Sequence, residues 1–197
     1  MGSEYSSIIA AIVQELEARR PLPPLVPQND WNSDLTNRIQ GVSVDKLFDG
    51  QAVKDDTFGA SVKSGLLLWN DALDVSHKIS QKIEGQTGSY WHGIMHRREP
   101  DYSNAKYWFR RAGAHAIFPA LREQVLALIE ERSNHTSGLA DYASAIQQKT
   151  DWDAFQFVDW CQDAAGTSDE NVVEFLRAAQ VKEIRLLLDF SYQRAIA

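Results

Sequence analysis

The segment from Tyr90 to His115 reads YWHGIMHRREPDYSNAKYWFRRAGAH and holds the densest group of histidine, arginine, aromatic and amide side chains in the chain. An α-helix turns about 100° per residue, so His92, His96 and Glu99, at positions i, i+4 and i+7, would lie on one stripe. Two imidazoles spaced in this way can bind one cation, and neutral imidazole is the commonest side-chain ligand of transition metals. Glu99 adds a third ligand or a proton-transfer group. The spacing therefore predicts a catalytic site or a site for a divalent transition metal.

A metal site at this stripe needs one or two further ligands from elsewhere in the chain. Candidate residues on neighbouring helices are His77, His115, Asp71 and Asp74. The sequence HGIMH lacks the glutamate that follows the first histidine in the HExxH motif of zinc proteases, so this class of enzyme is excluded. The alternative is that both histidines are structural and form hydrogen bonds to the backbone or to carboxylates.

The second half of the segment predicts a different kind of site, a pocket for a small polar or anionic metabolite. On a helix that begins near Ser103, Asn104, Trp108 and Arg111 share one face, and His115 follows if the helix continues past Gly113. Arginine binds carboxylate and phosphate groups with paired donors, and aromatic rings form the apolar walls of ligand pockets. The predicted ligand-binding residues are Arg97, Asn104, Tyr107, Trp108, Arg111 and His115, with Arg97 and Arg111 as the charge clamps.

Three alternatives compete with the metabolite pocket. Several of the arginines could instead form ion pairs with acidic residues of neighbouring helices. At least two of Trp91, Trp108 and Phe109 are expected in the core. Arg110 and His115 have the R-x4-H spacing of helical HEPN-type ribonucleases, but Gly113 interrupts the helix that would carry both.

Composition restricts the class of protein. The chain has 197 residues, of which 44% are hydrophobic and 24% charged, as is typical of a folded domain. Its formal net charge of -7 argues against binding to nucleic acid. The single cysteine, Cys161, permits no internal disulfide, and no apolar run is long enough to span a membrane. We expect a cytoplasmic protein with one domain over residues 1–197, and the sequence does not predict its oligomeric state.

Apolar spacing predicts an all-α fold, an irregular bundle of roughly seven helices. The first helix covers residues 6–19, and the proline-rich stretch PLPPLVPQND that follows predicts an extended N-terminal arm. The arm completes an N-terminal part, residues 1–30, and the helical body covers 31–197. In this body we expect one long helix over 61–84 with Asp71 and Asp74 on its solvated face, then a helical hairpin that Ser89 opens and Gly113 closes. A break at 133–138, with His135 in a loop, precedes the remaining helices, of which the last two are separate.

The string YWHGIMHRREPDYSNAKYWFRR resembles a motif of uncharacterised bacterial and fungal proteins. In that motif an aromatic residue and a histidine are followed three residues later by His-Arg, then by glutamate, an aspartate-containing turn, Asn-Ala and further aromatics. The resemblance covers little more than the hairpin and implies no activity or substrate. It directs attention to His92, His96, Arg97, Glu99, Asp101, Asn104 and Trp108.

The sequence thus leads to three hypotheses of function. The first is that the chain binds a small polar or anionic metabolite; whether it also turns the metabolite over is left open, and His92 or His96 would then be the proton-transfer group. The second is a metal-dependent enzyme that uses His92, His96 and Glu99 with a ligand from another helix. The third is a helical protein-interaction module in which the proline-rich arm and the terminal helices bind a partner chain.

Overall fold

The computed structural model describes residues 5–133, 137–167 and 169–197, and this part of the chain contains eleven α-helices, one short 3-10 helix and no strand. The predicted all-α class is confirmed, but the predicted count of roughly seven helices is too low. The helices are α1 (Ser7–Ala18), α2 (Ser33–Gly41), α3 (Val44–Leu47), α4 (Asp56–Trp69), α5 (Leu73–Ser80), α6 (Gln86–Arg98), α7 (Tyr102–Ala112), α8 (Phe118–Ser133), α9 (Ala140–Gln147), α10 (Ala154–Ala164) and α11 (Glu170–Ile196), with the 3-10 helix at Ser137–Leu139. The predicted loop position of His135 lies outside the described residues.

Short polar side chains fix the starts of several helices. The hydroxyl oxygen of Ser6 accepts a hydrogen bond from the amide of Ile9 at the start of α1, and Asp101 accepts one from the amide of Asn104 at the start of α7. Each cap satisfies a backbone donor that has no partner within the helix. Gly113 ends α7 with a φ of 62°, a left-handed conformation that glycine adopts without a steric penalty. The hairpin of α6 and α7 therefore has the end that the sequence predicts.

The long helix predicted over 61–84 is two helices, because the chain turns at residues 70–72 between α4 and α5. Asp71 has a φ of 65°, and its carboxylate forms ion pairs with Arg98 and, at 2.6 Å, with Arg19. The prediction that Asp71 lies on a solvated face is therefore wrong, since its side chain is buried. The apolar spacing in the sequence continues through the break, so it did not reveal the turn. The turn gives α5 its own direction and brings His77 against α6.

The two helices predicted at the end of the chain are one helix, α11, of 27 residues. Glu183 and Ser191 are fully buried on it and receive hydrogen bonds from side chains of α6. Tyr90 donates its hydroxyl to Glu183, and the indole of Trp91 donates to Ser191. α11 thus holds the N-terminal half of α6 in a fixed orientation.

Glycines allow α6 to approach its neighbours closely. A Cβ atom at Gly65 of α4 would lie 2.6 Å from the Trp91 ring, and one at Gly93 of α6 would lie 3.1 Å from the Phe109 ring of α7. Larger residues would push these helices apart. Buried apolar side chains from α1 through α11 form one continuous core around this contact.

The proline-rich stretch between α1 and α2 has no helix or strand in residues 19–32. The carbonyl oxygen of Pro24 accepts hydrogen bonds from Arg98 at 3.1 Å and from Gln180 at 3.4 Å. The stretch therefore lies against the end of α6 and against α11. None of the described helices combines the length and apolar character that crossing a bilayer requires.

Candidate metal centre

α6, which carries the histidines, is buried at every residue from Thr87 to Arg98. It begins one residue after Gly85, earlier than predicted, and Ser89 does not cap it: the Ser89 hydroxyl donates to the carbonyl of Gly85 at 2.9 Å from within the helix. A helix that is buried on all sides must find partners for its polar side chains inside the protein. The polar residues of α6 divide into an imidazole cluster and two buried arginines.

Three imidazoles from two helices meet beside α6. His92 and His96 lie one turn apart on α6, and His77 reaches them from α5. One ring nitrogen from each residue can be chosen so that all three lie within 4.8 Å of one another. The ring centroid of His77 lies 4.8 Å from the ring centroid of His92 and 5.2 Å from that of His96. The helical stripe predicted from the sequence is therefore completed by a third histidine from another element.

His92 is 4% exposed, and neither of its ring nitrogens has a hydrogen-bond partner among the described residues. A buried imidazole without partners loses the hydrogen bonds it would make to water, which costs about 1–3 kcal/mol. Burial, followed by the nearby His96 and His77, lowers the pKa of His92 to about 3. Burial and then His77 also lower the pKa of His96. Both rings are therefore neutral at pH 7, the form that binds metals.

Two side chains of α7 contact the two histidines of α6. The Trp108 indole stacks on the His92 ring with centroids 3.9 Å apart and planes at 20°. The amide nitrogen of Asn104 lies 3.1 Å from Nε2 of His96 and 3.4 Å from its Nδ1. Because α6 and α7 form a hairpin, the one-turn spacing of Asn104 and Trp108 matches that of His96 and His92. The predicted common face of Asn104 and Trp108 thus lies against the imidazole cluster.

Glu99 adjoins the cluster at the end of α6. Its Oε2 atom lies 3.3 Å from Nδ1 of His96, and its side chain is partly exposed. Burial raises the pKa of Glu99, nearby His77 opposes this shift, and Asp74 and Asp101 reinforce it. Glu99 also lines a cavity of about 620 Å³ between residues 26–30, the start of α5 and the end of α6. It is therefore shared between the cluster and an open space.

The two arginines of α6 are buried in ion pairs on other sides of the helix. Arg97, 1% exposed, pairs with Glu183 of α11 through contacts of 2.5 and 3.3 Å, and its guanidinium lies over the Phe157 ring at 4.3 Å. Arg98 pairs with Asp71 and donates to the carbonyl oxygens of Leu68 and Pro24. These placements match the ion-pair alternative for the arginines, and they direct Arg97 toward α11.

The remaining predicted ligand-binding residues do not converge on the cluster. Tyr107 is 46% exposed, and the exposed Arg111 lies over the rings of Tyr107 and Trp108 at 5.9 and 5.3 Å. His115 is buried beyond the end of α7, where the amide of Ile117 donates to its Nδ1 and its Nε2 lies 3.1 Å from the Thr87 hydroxyl. Burial lowers the pKa of His115 to about 4. His115 therefore belongs to a separate environment.

The structure does not support two other kinds of active site, an R-x4-H ribonuclease pair and a cysteine nucleophile. Arg110 is exposed over the Phe155 ring at 5.8 Å, whereas His115 is buried against Tyr90 and Phe190, so the R-x4-H pair is not assembled. Burial raises the pKa of the Cys161 thiol to about 12, which keeps the sulfur protonated and unreactive.

His77 is the residue of the cluster that the sequence pattern did not select. The sequence placed it among four possible extra ligands, because its position on α5 has no fixed spacing from His92. The turn at Asp71 decides that His77, rather than the other candidates, meets α6. A single sequence carries no signal for that choice beyond the presence of a histidine on a neighbouring helix.

Comparisons with known proteins give no further assignment. No protein-family model matches the chain, and searches of curated proteins and of solved structures give no significant match.

Proposed function

We propose that His77, His92 and His96 bind one divalent transition metal ion and that the protein is a metal-dependent enzyme. The observation that carries this proposal is the buried His92 ring, whose two nitrogens have no partner although two further imidazoles lie beside it. A metal ion bound by this ring would supply the missing interaction. The lowered pKa values of His92 and His96 support the same proposal, since they keep the ligands deprotonated near neutral pH.

The donor set indicates the kind of ion. Three neutral imidazoles suit zinc, copper or iron better than magnesium or calcium, which prefer oxygen ligands. In a tetrahedral zinc site the ligand nitrogens lie about 3.3 Å apart, given the usual zinc–nitrogen distances. The nitrogens here lie within 4.8 Å of one another, so binding would draw the rings inward by small side-chain rotations. His77 is only partly buried.

Three protein ligands leave a coordination position for water or substrate, as in catalytic rather than structural zinc sites. An ion in such a site acts as a Lewis acid and lowers the pKa of a bound water. Glu99 is the candidate proton-transfer group, because its carboxylate contacts His96 and borders the cavity. The proposed activity is therefore metal-assisted hydrolysis of a small molecule.

Metal content measured on protein purified without a histidine tag tests the proposal. We expect about one ion per chain, directly or after reconstitution with Zn²⁺, Co²⁺, Cu²⁺ or Fe²⁺, and loss of the ion in the variant His77→Ala. This substitution removes a ligand at a partly exposed position and leaves the core intact. The matched control is His115→Ala, a histidine outside the cluster, which should keep the ion.

Two outcomes would contradict the metal proposal. One is the absence of stoichiometric metal after reconstitution with all four ions. The other is equal binding by the wild type and by a folded double variant His92→Ala/His96→Ala. Circular dichroism and a thermal melt would establish that each variant is folded before its metal content is compared.

A second candidate function, binding of a small polar molecule, is favoured by the cavity of about 620 Å³ next to Glu99. This volume lies in the range of small-molecule sites. Asp30, Asp74 and Glu99 line the cavity together with the ion pair of Asp71 and Arg98, whereas the predicted clamps Arg97 and Arg111 do not. Since its one arginine is already paired with a carboxylate, the lining favours a polar ligand over an anionic one. A fragment screen by NMR tests this candidate, and amide shifts confined to residues 27–30 and 71–75 would support it.

A further inference from the structure

The structure of the cluster raises the question of what holds the His92 ring in place. In most metal sites the second ring nitrogen of a ligating histidine donates a hydrogen bond to a carboxylate, a carbonyl or a water, which fixes the orientation of the ring. Within the described residues, no such partner is present for either nitrogen of His92. The orientation of this ring must therefore come from other contacts.

Two flat rings lie on His92. The Trp108 indole is stacked at 3.9 Å between centroids with an interplanar angle of 20°, and the His96 ring is stacked at 4.8 Å with an angle of 16°. The Trp108 contact is the closer of the two and comes from a different helix. Stacked rings restrict tilting about the side-chain bonds, since a tilt opens a gap or causes a clash.

Trp108 is itself fixed on α7. The guanidinium of Arg111 lies over its ring at 5.3 Å, and the Tyr107 ring meets it edge-on at 5.3 Å. Gly93 permits the close packing of α6 and α7 that this stack requires, because a Cβ atom at position 93 would lie 3.1 Å from the Phe109 ring, closer than ordinary van der Waals contact. The orientation of the Trp108 ring is thus restrained by its contacts with Arg111 and Tyr107.

We infer that Trp108 is a positioning residue of the metal site and that its stacking on His92 replaces the hydrogen bond that orients the ligand in other sites. The inference rests on the proposed metal binding. In this role Trp108 orients a metal ligand, whereas the sequence predicted it as a wall of an anion pocket. Loss of such an orienting contact usually lowers metal affinity about 10- to 100-fold.

The test uses Co²⁺ as the probe, because its visible absorption bands report the geometry of its ligands. Affinity and spectrum would be measured for the wild-type chain and for Trp108→Phe, Trp108→Leu and Trp160→Leu. Phenylalanine retains a flat ring, and leucine fills the space without one. Trp160→Leu makes the same change at a tryptophan whose ring contacts Tyr142 and Trp152. We expect Phe to bind within about threefold of the wild type, Leu at position 108 to lose about 10- to 100-fold with altered bands, and Trp160→Leu to resemble the wild type.

The outcomes separate this inference from the proposal on which it rests. If wild-type protein binds no Co²⁺, Zn²⁺, Cu²⁺ or Fe²⁺, the metal proposal fails and the role of Trp108 fails with it. If the wild type binds Co²⁺ and folded Trp108→Leu binds equally well with the same spectrum, only the inference is overturned. Equal losses in the Phe and Leu variants would also overturn it, because the flat ring would then be irrelevant.

Discussion

The buried ion pair between Arg97 and Glu183 allows a sharp test of whether Arg97 is structural or binds a ligand. Both side chains are essentially inaccessible to solvent, at 1% and 0% exposure, and the Tyr90 hydroxyl also donates to Glu183. The substitution Arg97→Met leaves a buried carboxylate without its cation. Breaking a buried pair in this way costs about 3–5 kcal/mol, a large part of the stability of a typical domain. We therefore expect Arg97→Met to lower the free energy of unfolding by about 3–5 kcal/mol.

Urea unfolding of four proteins measures this effect: the wild type, Arg97→Met, the double variant Arg97→Met/Glu183→Leu, and Arg111→Met. The double variant removes both charges, so it should recover much of the stability that the single variant loses. Arg111→Met makes the same chemical change at an exposed arginine and should cost less than about 0.5 kcal/mol. The structural role would be refuted if Arg97→Met cost less than about 1 kcal/mol, or if the double variant were no more stable than the single one.

Three further predictions concern packing, pH and metal. Gly65→Ala should destabilise the protein by about 1–3 kcal/mol, because its Cβ would lie 2.6 Å from Trp91, whereas Gly41→Ala, with no atom within 4 Å, should be neutral or slightly stabilising in urea unfolding. Because burial lowers the pKa of His115 to about 4, below its unfolded value of 6.5, the unfolded state takes up a proton first as the pH falls. The free energy of unfolding is therefore unaffected by His115 above about pH 6.5 and falls by about 2–3 kcal/mol between pH 6.5 and pH 4. In urea unfolding at a series of pH values, His115→Asn should remove this part of the fall. A metal ion at 100 times its dissociation constant should add about 2.7 kcal/mol and raise the Tm by roughly 5–10 °C, and His77→Ala should show no such shift.

Local patterns in the sequence predicted the parts of the fold that neighbouring residues determine. The hairpin of α6 and α7 follows from Pro100, the capping Asp101 and the helix-ending Gly113, all within one short segment. The same segment carries two matched one-turn spacings, so the sequence could place the imidazoles on one stripe and Asn104 with Trp108 on one face. Their contact follows from a short connection between two helices.

The features that the sequence did not predict depend on contacts between distant residues. The pairing of Arg97 with Glu183 joins positions 86 residues apart, and nothing near Arg97 indicates this partner. The break at Asp71 is hidden because the apolar period continues across it, and the conformation of Asp71 is stabilised by two arginines from other segments. The choice of His77 as the third imidazole follows from that break, so the sequence pattern could not predict it either.

Asp71 also has a consequence for how mutations would affect the cluster. It connects Arg19, just after α1, with Arg98 at the end of α6, and it sets the direction of the helix that carries His77. The hairpin alone contains two of the three imidazoles, and the third lies on α5, which begins just after Asp71. On the proposed metal site, a substitution at Arg19 would therefore lower the affinity for the ion although Arg19 supplies no ligand. Remote control of this kind makes the ion-pair network around Asp71 part of the proposed site's construction.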